Sequence, residues 1–197
     1  MNLLQPRSVV DVGCGTGAWL SEFRNQGVPQ ILGLDGEYVN REELLIPAAS
    51  FRSVDLTFQL PGLGRSFDLA VSLEVAEHLP SSHAEEFVSD ICSLSPFVLF
   101  SAAVPWQGGI GHVNEQWPPY WRRLFAGRGY IALDPVRPAV WKDRRVEWWY
   151  RRNIFLYVTS NRIGEFQELY SKRNTKTVED MARRIYMTAR GRGFWPY

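Results

Sequence analysis

The segment SVVDVGCGTGAWL, residues 8–20, constrains the fold more than any other part of the sequence. A β-branched run leads into Gly13, Gly15 and Gly17, and apolar residues with helical spacing follow. This order predicts a strand, a tight turn and a helix. Glycine lets a ligand approach the backbone closely, and the start of the helix offers free N–H groups. The segment therefore predicts a loop that binds a small polar cofactor.

The rest of the chain alternates between short apolar runs and helical patterns. This alternation predicts a parallel sheet with helices on both faces. The predicted strands are 8–12, 31–35, 51–56, 67–73, 97–104, 130–136 and 153–159. The predicted helices are 18–27, 39–46, 83–95, 117–128 and 161–190.

Two cofactor classes fit the glycine loop on its own. Gly13-x-Gly15-x-x-Ala18 satisfies the dinucleotide pattern, and Asp35 follows about 20 residues later, where a ribose-binding acid is expected. The spacing G-x-G-x-G, with Asp11 two residues before the first glycine, is instead typical of class I S-adenosylmethionine-dependent methyltransferases. The sequence resembles that family over about residues 7–160, with VVDVGCGTG as its first motif and FDLAVSLEVAEHL as the motif of the predicted fourth strand.

This resemblance implies a Rossmann-like α/β fold with a seven-stranded, mostly parallel sheet in the order 3-2-1-4-5-7-6, the last strand being antiparallel. It implies S-adenosylmethionine as the cofactor and assigns residues 1–160 to the methyltransferase domain, with 161–197 as a basic helical C-terminal extension. Asp35 would accept hydrogen bonds from both ribose hydroxyls, and Asp55 would meet the adenine amino group. The residues expected to bind the cofactor are Asp11, Gly13, Cys14, Gly15, Gly17, Asp35, Gly36, Asp55, Leu56, Leu73 and Glu74.

A first candidate catalytic cluster follows the fourth strand. Glu74, Glu77 and His78 are spaced i, i+3 and i+4, so one helical turn can present all three, and with His112 they could bind a divalent metal. Similar E-x-x-E-H strings occur in metal-dependent family members, including ubiquinone-pathway O-methyltransferases and small-RNA terminal 2′-O-methyltransferases. They also occur in members that bind no metal. We expect no metal, with Glu74 or His78 in contact with the cofactor or the substrate. A helix-capping or packing role is the alternative.

A second candidate cluster lies in VPWQGGIGHVNEQWPPYW, residues 104–121, which follows the fifth strand and so falls at the same edge of the sheet. We predict His112 as the general base, oriented by Glu115. A histidine that only orders the loop is the alternative. The aromatic residues expected to contact the acceptor are Trp106, Trp117 and Tyr120 here and Trp149 further on, unless they serve as core packing.

About seven residues precede the first strand, whereas many class I methyltransferases have N-terminal helices over the acceptor site. We therefore expect residues 105–128 and 138–153 to close the pocket. The second region mixes arginines with aromatic residues, which suits a phosphorylated, acidic or nucleobase-like acceptor. Surface arginines on an amphipathic hairpin would give the same pattern.

Charge is unevenly distributed along the chain. Residues 1–121 contain 5 Lys and Arg against 14 Asp and Glu, whereas residues 122–197 contain 17 against 7. The basic half either covers acidic parts of the same protein or meets an anionic partner. No apolar run reaches the roughly 18 residues of a membrane span, and Cys14 and Cys92 form no Cys-x-x-Cys pair. We expect a cytoplasmic protein with reduced thiols and no membrane partner.

Together these patterns favour an S-adenosylmethionine-dependent methyltransferase that acts on an oxygen of a small polar or sugar-like molecule. One alternative is a metal-assisted RNA 2′-O-methyltransferase, although residues 122–197 contain no recognisable RNA-binding module. Another is a non-catalytic subunit that binds S-adenosylmethionine. A homodimer through the 105–128 region or the C-terminal extension is left open.

Overall fold

The computed structural model describes residues 4–171. Within this range seven strands form one sheet, flanked by six helices. The strands are β1 (Ser8–Val12), β2 (Gln30–Asp35), β3 (Phe51–Ser53), β4 (Leu69–Leu73), β5 (Phe97–Ser101), β6 (Tyr130–Leu133) and β7 (Phe155–Thr159). The helices are α1 (Ala18–Asn25), α2 (Ala84–Leu94), α3 (Pro118–Gly127), α4 (Arg137–Val140), α5 (Trp148–Asn153) and α6 (Ile163–Ser171).

The strand order is β3-β2-β1-β4-β5-β7-β6, as predicted. Strands β1 to β5 are parallel, and β7 runs antiparallel to both β5 and β6. In the central strand β1, Asp11 lies opposite Gly33 of β2 and Val71 of β4. Because β1 to β5 are parallel, their carboxyl ends, and the loops that follow them, meet at one edge of the sheet.

Two hydrophobic cores lie on the two faces of the sheet. Alternate residues of β1 belong to different cores, Val9 to one and Val10 to the other, as the period of a strand requires. The first core contains Phe23 of α1, and the second contains Ile91 of α2 and Phe125 of α3. Burial on both faces explains why the strands read as continuous apolar runs.

The prediction of a helix over 39–46 is wrong. The segment contains only a 3-10 turn, Arg41–Glu43, in which the Asn40 side chain accepts the Glu42 N–H at 3.1 Å. The residues after this turn do not continue a helix, since Leu45 donates its N–H to the carbonyl of Thr16 in the glycine loop at 2.9 Å. The segment therefore packs on the glycine loop instead of continuing a helix toward Pro47.

Other elements are shorter than predicted. The strand predicted over 51–56 ends at Ser53, and the strand predicted over 97–104 ends at Ser101. The 138–153 region, expected as an insert, contains the end of α4 and all of α5. Of the C-terminal extension, only α6 and its approach are described, and residues 172–197 lie outside the described residues. None of the described helices has the length and apolar character needed to cross a bilayer.

Candidate functional site

The loop between β1 and α1 contains three glycines with different surroundings. A Cβ on Gly13 would lie 2.3 Å from a methyl of Val75, and one on Gly17 would lie 2.9 Å from Ile46. Gly15 has φ 52°, and a Cβ there would meet no described atom within 4 Å. Gly13 and Gly17 are therefore needed for packing within the protein, and Gly15 is where a cofactor can approach the backbone.

Asp35 ends β2 beside this open position. Its side chain is 3% exposed, and its Oδ2 accepts the Gly15 N–H at 2.6 Å. Its Oδ1 accepts the Gly36 N–H at 2.7 Å and the hydroxyl of Tyr38. The carboxylate thus joins the glycine loop to the end of β2, with acceptor oxygens next to the place where a ligand would lie.

Asp11 adds a second buried carboxyl group in β1. It is 2% exposed, and its Oδ2 has no hydrogen-bond partner among the described residues. Burial, and to a lesser extent the neighbouring Asp35, raises the pKa of Asp11 to about 8. A ligand with positive charge would favour the ionised form of this group.

Other residues predicted to bind the cofactor face different ways. The Sγ of Cys14 packs against β2, where a Cβ on Gly33 would lie 2.6 Å from it, and it donates to the Gly15 carbonyl of the loop at 3.3 Å. Burial raises the pKa of this thiol far above its ordinary value. Leu56 and Leu73 are buried in opposite cores.

Asp55 lies two residues beyond β3 and is exposed. Its Oδ1 accepts both the N–H of Thr57 at 2.9 Å and the Thr57 hydroxyl at 2.6 Å. These two bonds lower the pKa of Asp55. The carboxylate therefore shapes its own turn at the strand-end edge.

The expectation that Glu74, Glu77 and His78 share one helical turn is wrong. The turn is a 3-10 helix that begins at Ala76, and Glu74 precedes it in a left-handed conformation with φ 57°. Glu74 is held by the sheet and not by the turn, because its N–H still bonds the Ser101 carbonyl of β5 at 3.0 Å. A left-handed conformation is uncommon for a residue other than glycine and is often found at functional sites.

The carboxyl group of Glu74 takes part in a chain of polar side chains. Its Oε2 accepts the Gln107 side-chain N–H at 2.6 Å, and Gln107 Oε1 accepts from the Asn153 amide at 2.8 Å. Burial raises the pKa of Glu74, and hydrogen bonds from Ser101 and Gln107 oppose the rise. Two buried oxygens, Glu74 Oε1 and Asn153 Oδ1, have no partner of full hydrogen-bond geometry among residues 4–171. The chain thus offers two acceptors to a ligand with hydrogen-bond donors.

Glu77, His78 and His112 come together as a separate group. One potential ligand atom of each lies within 4.8 Å of the others, and the two imidazole rings meet edge-on with centroids 4.9 Å apart. A carboxylate and two imidazoles form a donor set that suits zinc or another transition metal. Glu74 is outside this group, so three of the four predicted ligands are within reach of one ion.

The protonation states of Glu77 and His78 affect whether these residues can bind a metal ion. Glu77 is fully buried, and neither carboxyl oxygen has a partner of full hydrogen-bond geometry in the described part of the chain. Burial, reinforced by the Glu74 carboxylate, raises the pKa of Glu77 to about 9. Partial burial and then His112 lower the pKa of His78. At neutral pH Glu77 must lose a proton before it can bind a metal.

His112 and Glu115 form a pair in the loop after β5. His112 Nδ1 lies 2.9 Å from Glu115 Oε1, and the same carboxylate accepts the backbone N–H groups of Trp106 at 2.9 Å and Gly108 at 3.1 Å. The hydrogen bond from His112 is the main cause that lowers the pKa of Glu115. A Cβ on Gly109 would lie 2.3 Å from His112 Nε2. Glu115 therefore orders the loop through the two backbone N–H groups and also orients the imidazole of His112.

The loop is bound firmly to the strand-end edge. The N–H groups of Val113 and Asn114 both donate to the Glu77 carbonyl, at 2.8 and 3.0 Å, and Gln116 donates to the Ala103 carbonyl at 3.1 Å. These bonds bring His112 next to the turn that contains His78. The two clusters predicted from separate motifs are therefore one site.

The predicted acceptor-contacting aromatic residues fall into two kinds. Trp106 and Trp117 are 87% and 46% exposed and pack edge-on with ring centroids 5.9 Å apart. Tyr120 packs edge-on against the buried Trp121 and contacts the second core. Trp149 contacts the first core. Only the first pair presents much aromatic surface to solvent.

Several arginines of the 138–153 region have partners nearby. Arg145 forms an ion pair with Asp143, with Nη2 and Oδ2 2.8 Å apart. Arg151 donates to the Trp141 carbonyl at 3.2 Å, and Arg152 lies over the Trp148 ring, 5.6 Å from its centroid. This positive charge is thus partly used within the region itself.

Three residues of the site were not predicted from the sequence. Gln107 and Asn153 hydrogen-bond across 46 positions of sequence, and no local pattern connects them. Tyr38 reaches Asp35 from only three positions away, so a polar side chain shortly after the strand-end acid was the available signal.

Comparisons with known proteins agree with this geometry. A family model described as a methyltransferase domain matches residues 2–162. No curated protein shows a significant match. Magnesium protoporphyrin IX methyltransferase (ChlM) from Synechocystis PCC 6803, solved with bound S-adenosylmethionine, has a TM-score of 0.56 and 21% identity, over 77% of this chain and 69% of that chain.

Two further structures have the same fold. DesVI from Streptomyces venezuelae has a TM-score of 0.58 and 15% identity, over 81% of this chain and 86% of that chain. An O-methyltransferase family protein from Burkholderia thailandensis has a TM-score of 0.59 and 14% identity, over 81% of this chain and 52% of that chain.

The strand order, together with the glycine loop joined to the strand-end acid, is that of the Rossmann-like fold of class I methyltransferases. The chain belongs to the methyltransferase-domain family, and it is an S-adenosylmethionine-dependent methyltransferase.

Proposed function

We propose that the protein transfers the methyl group of S-adenosylmethionine to an oxygen of a small polar or sugar-like acceptor. The observation that carries this proposal is the His112–Glu115 pair at the edge that holds Gly15 and Asp35. Because a carboxylate only accepts hydrogen bonds, Nδ1 of His112 bears the proton and Nε2 is left as the basic atom. A hydroxyl acceptor needs such a base to remove its proton.

In this proposal the cofactor lies along the strand ends. The Gly15 backbone and the Asp35 carboxylate hold the ribose, and Asp55 with Leu56 lies at the adenine end. Asp11 and Glu74 lie on the side of the positive sulfonium, where buried carboxyl groups are stabilised by a cation. The reaction is an in-line displacement, so the protein mainly has to align the acceptor oxygen with the methyl carbon at about 3 Å.

The hydrogen-bonded side chains of Glu74, Gln107 and Asn153 favour an acceptor molecule that carries hydroxyl groups. Glu74 Oε1 and Asn153 Oδ1 are buried acceptors without a partner of full hydrogen-bond geometry in the described part of the chain, and hydroxyl donors of a small molecule would satisfy both. The exposed Trp106 and Trp117 rings suit the apolar face of a sugar ring. The Burkholderia thailandensis neighbour, described as an O-methyltransferase family protein, agrees with oxygen as the acceptor atom.

The group of Glu77, His78 and His112 favours a second candidate, metal-assisted 2′-O-methylation of RNA. In that case the metal would hold the acceptor hydroxyls, and positive side chains would contact phosphates. Arg145, Arg151 and Arg152 already contact neighbouring groups of the same region. Their charge is therefore partly used within the protein, which favours the first candidate.

We also infer a cytoplasmic location, because Cys14 and Cys92 are free thiols and reduced cysteines are usual there. Homodimerisation and the role of residues 161–197 stay predictions.

Transfer of a tritiated methyl group to cell extract, separated into small molecules, glycans, RNA and protein, tests the proposal. We expect label in the small-molecule or glycan fraction. We expect His112→Asn, which can still hydrogen-bond Glu115, to lose transfer as fully as His112→Ala while keeping cofactor affinity. Transfer by His112→Asn at the wild-type rate would contradict the role as base, and label in RNA alone would favour the second candidate.

A further inference from the structure

The hydroxyl of Tyr38 is hydrogen-bonded to Asp35, the carboxylate that is proposed to bind the ribose. It donates to Asp35 Oδ1, the same oxygen that accepts the Gly36 N–H. The other oxygen accepts the Gly15 N–H. Three donors from the protein therefore already face this carboxylate.

The number of acceptor positions limits what else can bind. A carboxylate offers about four lone-pair positions. The N–H groups of Gly15 and Gly36 are fixed by the backbone and use two of them. A ribose with two vicinal hydroxyls needs the remaining two, and Tyr38 uses one. The bidentate ribose contact and the Tyr38 contact therefore exclude each other.

The Tyr38 side chain can move without disturbing the core. It is 84% exposed, whereas the next residue, Val39, is buried in the first core. The Val39 N–H bonds the Gly36 carbonyl at 3.3 Å and holds the turn. The ring crosses directly over Gly36, where a Cβ would lie 2.2 Å from its Cε1. Rotation of this exposed side chain would free Oδ1 while the backbone stays in place.

We propose that Tyr38 is an internal competitor of the cofactor ribose, which satisfies Asp35 in the cofactor-free enzyme and is displaced when the cofactor binds. The apparent affinity for the cofactor equals the intrinsic affinity multiplied by the fraction of cofactor-free enzyme in which Tyr38 has left Asp35. The same contact keeps a nearly buried carboxylate hydrogen-bonded between catalytic cycles. This inference rests on the proposed role of Asp35 in ribose binding.

Tyr38→Phe keeps the ring and removes only the competing hydroxyl. We expect it to bind S-adenosylhomocysteine about 3-fold to 10-fold more tightly than the wild type, which corresponds to the net contribution of one typical hydrogen bond. With an analogue that lacks both ribose hydroxyls, Tyr38 need not leave, so wild type and variant should bind equally. Isothermal titration measures both affinities.

Equal or weaker binding of S-adenosylhomocysteine by Tyr38→Phe would overturn the proposal, and so would an equal gain with the deoxygenated analogue. Ile131→Val, a change at an exposed apolar residue of β6 at the other end of the sheet, controls for surface effects and should leave both affinities unchanged. Asp35→Asn separates the two claims. If it binds S-adenosylhomocysteine as the wild type does, the ribose role of Asp35 fails; if it loses binding while Tyr38→Phe changes nothing, only the competitor role fails.

Discussion

Gly15 donates its backbone N–H to Asp35 Oδ2 across 2.6 Å, which ties the loop after β1 to the end of β2. The bond lies at the carboxyl edge of the sheet, next to the position where a Cβ on Gly15 would meet no described atom. Because the two residues come from adjacent parallel strands, the fold itself sets their separation. This relationship makes the cofactor site testable residue by residue.

Gly15→Ala should weaken cofactor binding, because the added methyl would fill the space beside the loop. Gly27→Ala is a matched control, since Gly27 also has positive φ and open surroundings but lies beyond the far end of α1. Both changes should destabilise the fold by about 1–2 kcal/mol through the left-handed backbone. Only Gly15→Ala should lower the affinity for S-adenosylhomocysteine, by roughly tenfold or more. Equal affinities of the two variants would show that the cofactor does not approach Gly15.

Asp11 should make the stability of the cofactor-free protein depend on pH. Folded Asp11 keeps its proton up to about pH 8, whereas its ordinary pKa is 3.8. Between these values folding binds a proton, so the free energy of unfolding falls as pH rises, by up to about 1.4 kcal/mol per pH unit from this group. Asp11→Asn removes this contribution and should gain stability relative to the wild type from about pH 5 to about pH 8.

Urea denaturation of wild type and Asp11→Asn at both pH values measures this difference. A difference in unfolding free energy between the two proteins that stays constant with pH would mean that Asp11 is ionised in the folded state throughout.

Glu115→Gln should loosen the loop after β5, because Glu115 accepts hydrogen bonds from His112 and from the N–H groups of Trp106 and Gly108. An amide leaves one acceptor oxygen and removes the charge. We expect hydrogen exchange at the Trp106 and Gly108 amides to become about tenfold faster. Glu86→Gln is the control, since Glu86 pairs with His83 at the same i, i+3 spacing but accepts no backbone N–H of a loop within residues 4–171. Unchanged protection in Glu115→Gln would contradict the ordering role.

Chelation should leave methyl transfer intact. Glu77 retains its proton near neutral pH because burial raises its pKa to about 9, and Glu74 is engaged by Gln107 outside the group. The remaining donors are mainly the imidazoles of His78 and His112, which hold an ion less firmly than a complete ligand set. Tritiated-methyl transfer with and without EDTA checks this, and loss of transfer that zinc or manganese restores would favour the metal-assisted candidate.

The features predicted correctly from the sequence are local ones. The glycine turn between β1 and α1, the position of Asp35 at the end of β2 and the alternation of strands and helices each depend on one element or its adjoining turn. The family resemblance supplied the strand order. Long-range contacts account for the misses. The 39–46 segment is not helical because the Leu45 N–H bonds the Thr16 carbonyl. Glu74 lies outside the following 3-10 turn because its N–H bonds the Ser101 carbonyl of β5.

The hydrogen bonds that join Glu74, Gln107 and Asn153 are long-range contacts of the same kind, and the sequence did not predict them. Gln107 reaches Glu74 across 33 positions and Asn153 across 46, and neither contact leaves a periodic pattern in the sequence. The two motifs around His78 and His112 were each recognised, but their union depends on Val113 and Asn114 donating to the Glu77 carbonyl.

Titration of S-adenosylhomocysteine into wild type, Asp35→Asn and Asp68→Asn tests the central claim most directly. Asp68 likewise accepts two backbone N–H groups, from Arg7 and Ser8 at 2.7 and 3.0 Å, but it precedes β4 at the opposite edge of the sheet. We predict that the wild type and Asp68→Asn bind equally and that Asp35→Asn binds at least about tenfold more weakly. Absence of binding by the wild type, or equal binding by Asp35→Asn, would contradict the account.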